Sequence, residues 1–199
     1  RTALSKQPDE LIKYELDNIK QEEFSKNMIL KDPYILDFLD INDRYLEKDL
    51  EDAILRSIEK FIFELGVGFS FIERQKRIII DGEDFKIDLL FYNRKLKRLI
   101  AIDLKIGRFK AEYKGQMELY LKWLSKYEKE EGENEPLGII LCADKKEEQI
   151  ELLELEKSGI HVAQYLTVLP PKEILEAKLH QAIESAKAKY FIDNKEKID

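Results

Sequence analysis

The sequence predicts an α/β domain in which helices flank a mixed central sheet. Three observations carry this. Segments with apolar residues at helical spacing alternate with short strand-like runs, in the order helix, three strands, helix, strand, helix, strand, helix. Asp81-Gly82 and Asn93-Arg94 mark turns between the three consecutive strand runs. Leu137–Cys142 is almost entirely apolar, as a buried strand requires.

Taken in order, Leu11, Ile12, Leu16, Ile19 and Phe24 recur at roughly helical spacing, and Pro8-Asp9-Glu10 suits a helix start, so the first helix runs from Pro8 to about Ile29. Lys31-Asp32-Pro33 breaks it, and Tyr34–Leu39 reads as a short helical connector. Leu46, Leu50, Ile54, Ile58, Phe61, Ile62 and Leu65 mark one face of a strong helix that Gly66 ends. The strand runs are Phe69–Glu73 with Arg77–Ile80, Asp84–Tyr92, and Arg98–Leu104. Glu112–Tyr127 is a helix with Tyr113, Met117, Tyr120, Leu121 and Leu124 aligned. After the solvated loop EKEEGENEP come the strand Leu137–Cys142, a helix over Glu147–Lys157 and a strand over Ile160–Tyr165. Pro170-Pro171 opens a last helix to about Tyr190. The expected organisation is a helical linker segment over 1–42, one domain over 43–190 and a polar tail over 191–199.

A chain of 199 residues, 44% hydrophobic, can bury one good core. Its single cysteine, Cys142, excludes an internal disulfide framework. No run approaches a membrane span and no apolar signal segment opens the chain, so a cytoplasmic location is expected. The opening Arg-Thr-Ala-Leu lacks Met, and a fragment of something longer is expected. Net charge is −7, yet Arg74 to Lys114 holds twelve Lys/Arg against six Asp/Glu, so a local basic region sits in an acidic chain. Local sign, more than the total, decides whether a phosphate backbone is attracted. No P-loop is present, and no cysteine or histidine set could hold structural zinc; His161 and His180 have no partner pattern.

The basic region surrounds an acidic constellation. Asp88 lies in the apolar run EDFKIDLLFYN, and Asp103 and Lys105 lie in RLIAIDLKIGRFK. Charges in apolar strands are costly unless paired. Side chains two apart on a strand share a face, so Asp103 and Lys105 project together. With Asp88 on the neighbouring strand, two carboxylates and an ammonium converge, which suits holding a divalent metal and activating a water against a phosphodiester. A solvent-facing charge pair would give the same D-x-K triplet; the apolar strands before it and the helix after it are what favour chemistry. Glu51, at the margin of its helix's apolar face, either completes a metal shell or is a solvated helix glutamate. Gln116, flanked by Tyr113 and Tyr120, can position a water or a phosphate, and Gly115 before it suggests close packing or ligand approach. Arg108, Lys110 and Lys114 follow the lysine strand, at the kind of turn where α/β sheets place ligands. With Arg74, Arg77 and Tyr113 they form the candidate nucleic-acid contacts. The basic tip Arg94-Lys95-Leu96-Lys97-Arg98 is better read as a soluble turn.

These residues resemble the PD-(D/E)xK nuclease superfamily, in which a strand Asp and a (D/E)-x-K on the next strand sit in an αβββαβ, restriction-endonuclease-like core. The runs RQKRIIIDGEDFKIDLLFYNRKLKRLIAIDLKIGRFKAEYKGQMELYL and PLGIILC resemble more closely the C-terminal nuclease domain of YhcG-like bacterial proteins, and RTALSKQPDELIKYEL and LKDPYILDFLDI resemble that family's preceding segment. The resemblance implies Asp88, Asp103 and Lys105 as metal and catalytic positions, Glu51 as the first-helix acid and Gln116 as the glutamine of the following helix. It implies Mg²⁺, with Mn²⁺ as an alternative, and DNA cleavage in restriction, repair or mobile-element defence. The implied partners are DNA, an N-terminal domain that this chain lacks, DNA-processing enzymes and a second copy of the chain. A non-cleaving nucleic-acid-binding or assembly module on the same fold is the alternative. Asp103 stands where relatives mostly carry Glu, and Asn93 where a His is expected.

Overall fold

The computed structural model describes residues 29–41 and 46–167, together with helical positions between Glu173 and Lys187. The first expected helix, apart from Ile29, and the polar tail lie outside the described residues. Among the described residues, six strands form one sheet in the order β1-β6-β5-β4-β3-β2. They are β1 (Tyr34–Ile35), β2 (Phe69–Ile80), β3 (Glu83–Asn93), β4 (Arg98–Leu104), β5 (Leu137–Cys142) and β6 (Ile160–Leu166). Strands β2, β3 and β4 pair antiparallel, whereas β4, β5, β6 and β1 pair parallel, so the sheet is mixed, as the sequence predicts.

The α-helices whose bounds are described are α1 (Glu47–Arg56), α2 (Ile58–Leu65), α3 (Glu112–Tyr127) and α4 (Glu147–Leu152). Strand side chains alternate between faces, and the two faces feed separate cores. On one, Leu50 and Ile54 of α1 and Phe61 and Leu65 of α2 pack on Leu89, Phe91, Ile100, Ile102 and Leu104. On the other, Met117, Tyr120, Leu121 and Leu124 of α3 pack on Leu90, Leu99, Ala101, Ile140 and Val162. Every residue of β4 is buried. Asp103 shares the parity of Leu99 and Ala101, so its carboxyl enters the apolar layer under α3.

Four expectations change. Tyr34–Leu39, expected as a helical connector within the linker, is instead a strand and a short 3-10 turn: Tyr34 and Ile35 pair with Tyr165 and Leu166 of β6 and extend the sheet. The helix expected to run unbroken to Leu65 breaks at Ser57, whose backbone (φ −119°, ψ 35°) leaves the helical region. The first strand run, expected as Phe69–Glu73 with Arg77–Ile80, continues through residues 74–76 without the expected gap, accommodated by an irregularity between Phe71 and Glu73 and a left-handed Gln75. The helix expected over Glu147–Lys157 stops at Leu152, and after the left-handed Glu154 a 3-10 turn spans Leu155–Ser158. The chain from Val168 onward forms a separate unit. Among the described residues, no helix is long and apolar enough to cross a membrane.

Candidate active site

The β3–β4 ladder runs from Asn93↔Arg98 to Leu89↔Ile102. One step further, Asp88 comes opposite Asp103, and a side chain takes over from the backbone: the Leu104 amide donates to Asp88 Oδ2 at 2.9 Å. On the other side of β3, Asp88 falls between the pairs Arg74↔Leu89 and Lys76↔Ile87, opposite Gln75. Gln75, Asp88 and Asp103 thus form a row across three strands. Lys105 Nζ lies 3.2 Å from Asp103 Oδ2, and the two side chains are only 12% and 8% exposed.

Burial sets the electrostatics of this row. It pushes the Asp103 carboxyl up to about 8, aided by hydrogen bonding and repulsion from Asp88 and opposed by Lys105. For Lys105, burial works against the charge, but the Asp103 carboxylate outweighs it and holds the ammonium above the ordinary lysine range. Glu51, buried on α1, is also raised, by burial and by Asp88, while Gln75 and Arg74 oppose the shift. Gln75 Nε2 donates to Glu51 Oε2 at 2.5 Å and to Asp88 Oδ1 at 3.2 Å, so one amide joins the two carboxylates. Its φ of 47° is strained for a residue with a β-carbon. Sequence reasoning missed Gln75. The only signal was that the strand pattern faltered around it.

Helix α3 covers the row. The Tyr113 ring centroid is 4.6 Å from Lys105 Nζ. Gln116 Nε2 donates to the Tyr120 hydroxyl at 2.8 Å, and that hydroxyl is pushed up to about 12 by burial and by the charge of Asp103. Tyr120 is the second residue the sequence did not assign, although it shares a helix stripe with Gln116. A β-carbon on Gly115 would meet nothing within 4 Å, so the close packing expected there is absent; it occurs at Gly138, where a β-carbon would sit 2.6 Å from Met117.

Two crowded, partly buried carboxylates with oxygen donors only are a set that a hard divalent cation relieves. Glu51 reaches the pair through the Gln75 amide and not directly. Among the described residues, no group of three His, Cys, Asp or Glu side chains is of metal-binding size. A cation between Asp88 and Asp103 would therefore take its remaining ligands from water and substrate, as Mg²⁺ commonly does.

A family model described as the YhcG PDDEXK nuclease domain matches residues 27–183. The chain belongs to this family. The "Putative nuclease YhcG" of Escherichia coli strain K12 is 41% identical over 116 residues, which is 58% of this chain and 31% of that protein. The chain thus matches about a third of the length of this curated relative. Among solved structures, a repair endonuclease from Pyrococcus abyssi is 24% identical with a TM-score of 0.43, covering 62% of this chain and 49% of that one. EndoMS in a complex with double-stranded DNA is 20% identical with a TM-score of 0.44, covering 66% and 49%.

In this YhcG-family domain the basic residues near the site are largely tied to acids. Arg74 lies 3.5 Å from Glu51 and 3.7 Å from Asp52. Arg77 makes two bonds to Asp84 across the β2–β3 hairpin, at 2.6 and 2.9 Å. Arg108 pairs with Asp144 at 2.9 Å. Lys114 donates to the Leu153 carbonyl at 2.8 Å, and Lys110 is exposed. Arg74, through Glu51, and Tyr113, over Lys105, join the candidate cluster, whereas the partners of Arg77, Arg108 and Lys114 lie outside it. Asn93, where a His was expected, is fully buried and builds the β3–β4 turn: Nδ2 donates to the Val67 carbonyl, and Oδ1 accepts from the Lys95 and Leu96 amides.

Proposed function

We propose that this domain is a Mg²⁺-dependent nuclease, also served by Mn²⁺, that hydrolyses DNA phosphodiester bonds. The observation that carries the reading is the pairing of Asp88 with the buried Asp103, with Lys105 Nζ 3.2 Å from Asp103, in a chain of the YhcG nuclease-domain family. Asp88 and Asp103 would hold the ion, and Glu51, one amide away, is the third carboxylate of the set. When bound, such an ion polarises a phosphoryl oxygen and makes a coordinated water acidic.

The chain's own groups have distinct tasks. Burial and the neighbouring Asp88 favour the protonated form of Asp103, and a cation held by the two carboxylates would favour its ionised form. Lys105 remains an ammonium, so it acts as a donor, orienting the attacking water and stabilising charge that develops on phosphorus. Tyr113 stacks against that ammonium and restricts it. Gln75 fixes Asp88, and Gln116 orients the Tyr120 hydroxyl beside Asp103. Arg74, Arg77, Arg108, Lys110 and Lys114 contact the phosphate backbone. A role in DNA restriction, repair or mobile-element defence is part of the same proposal and rests on family resemblance.

Isothermal titration with Mn²⁺ tests the metal assignment. The native protein should bind, and Asp88→Asn should lose binding. Equal binding by the mutant would move the metal elsewhere. A domain that binds DNA and Mn²⁺ without cleaving would support the alternative of a binding module.

A further inference from the structure

The walls of the active site continue beyond it. On α3, Gln116, Tyr120, Trp123 and Tyr127 follow one helical stripe at spacings of four, three and four. On β2, Gln75 reaches the site, and Ile79 and Ile80 follow along the same strand. Between these walls lies a groove of about 320 Å³ lined by Ile79, Ile80, Asp81, Leu119, Trp123 and Tyr127, with Lys122 and Lys126 also lining it. It is open to solvent: Ile79 is 56% and Tyr127 61% exposed. The Trp123 and Tyr127 ring centroids lie 5.2 Å apart, tilted by 44°. Lys126 Nζ stands 5.1 Å from the Tyr127 centroid. Lys76, held by Glu73 and Glu128, stands 6.0 Å from the Trp123 centroid.

We propose that this groove binds a single DNA strand leading away from the active site, with bases stacked on Trp123 and Tyr127 and phosphates on Lys122 and Lys126. An apolar, aromatic floor edged by lysines is the arrangement that takes single strands without reading sequence. A duplex hides its base faces and could use only the lysines. The stripe from Gln116 to Tyr127 spans about 16 Å along the helix, room for about five nucleotides at duplex rise. Continuity of both walls with the phosphodiester site favours a nucleic-acid strand over an acidic peptide. The proposal rests on the nuclease reading, and its test is separable from it.

Trp123 is the only tryptophan of the chain, so its fluorescence reports on this groove alone. The full chain, in EDTA, is titrated with a twelve-nucleotide oligo-dT, with a blunt duplex and with poly-glutamate, and the affinity of a labelled oligo-dT is measured by anisotropy. Saturable quenching by oligo-dT above that by the duplex is expected. Tyr127→Ala combined with Lys126→Ala should weaken oligo-dT about tenfold while the melting temperature holds. No quenching by oligo-dT, unchanged affinity in the double mutant, or stronger quenching by poly-glutamate would overturn the proposal. Cleavage with Mg²⁺ is scored separately. Quenching without cleavage would leave the groove standing and reject only the nuclease reading.

Discussion

Asp103 is the residue at which the proposed chemistry and the stability of this domain make opposite demands. Its carboxyl is pushed from the usual aspartate range up to about 8, by burial and by Asp88. A carboxyl raised in the folded state favours folding fully at a pH below its unfolded value, and that contribution is lost as pH rises towards the folded one. The window is therefore about pH 4 to 8. Asp103→Asn removes the titration. Melting curves in EDTA should show the mutant gaining on the native protein steadily from pH 4 to 8, with no further gain above. A difference independent of pH would mean that Asp103 is ionised throughout. The same proton competes with a cation, so Mn²⁺ should bind more tightly at pH 8 than at pH 6. The aspartates and the lysine were legible in the sequence because charges in apolar strands stand out. Gln75 was not, because a glutamine within a charged edge strand looks like surface until its amide is seen joining Glu51 to Asp88.

At the scale of elements, legibility follows how locally each one is specified. β4, β5 and α3 have the predicted ends because an apolar run or a helical stripe, bounded by polar loops, defines them without outside help. The break at Ser57 was invisible because the apolar periodicity passes straight through it, from Ile54 to Ile58 and Phe61. β1 is two residues long and exists only by pairing with β6, some 130 positions away, which no local pattern encodes. α3 is seated against β5 at Gly138, which has no side chain to hold Met117 off the sheet. Gly138→Ala should destabilise the domain by about 1–3 kcal/mol, the usual effect of overpacking. Combining it with Met117→Ala should cost less than the sum of the two single mutants, since the new methyl then occupies the vacated space. Additive losses in chemical denaturation would show that this packing does not seat the helix.

For the whole molecule, a net charge of −7 and a basic region over Arg74–Lys114 act in opposite directions on the proposed binding of DNA. The exposed ion pairs Arg77–Asp84 and Arg108–Asp144 offset part of that region's charge at the surface. If the local patch governs, DNA binding should be measurable at low salt. Arg108→Ala with Lys110→Ala should then weaken it across sequences and flatten the log–log salt dependence by about one unit for each phosphate left unneutralised. An unaltered slope would place the phosphates on another face. The central claim is that the Asp88, Asp103 and Lys105 cluster hydrolyses DNA, and cleavage by Lys105→Ala tests it most directly. Plasmid DNA with Mg²⁺ is the substrate, and Mn²⁺ titration and melting of the same preparation establish whether the site and fold persist. The account predicts nicking or linearisation by the native domain and a rate at least about 10²-fold lower in the mutant. A folded, metal-binding Lys105→Ala protein that cleaves at the native rate would contradict it.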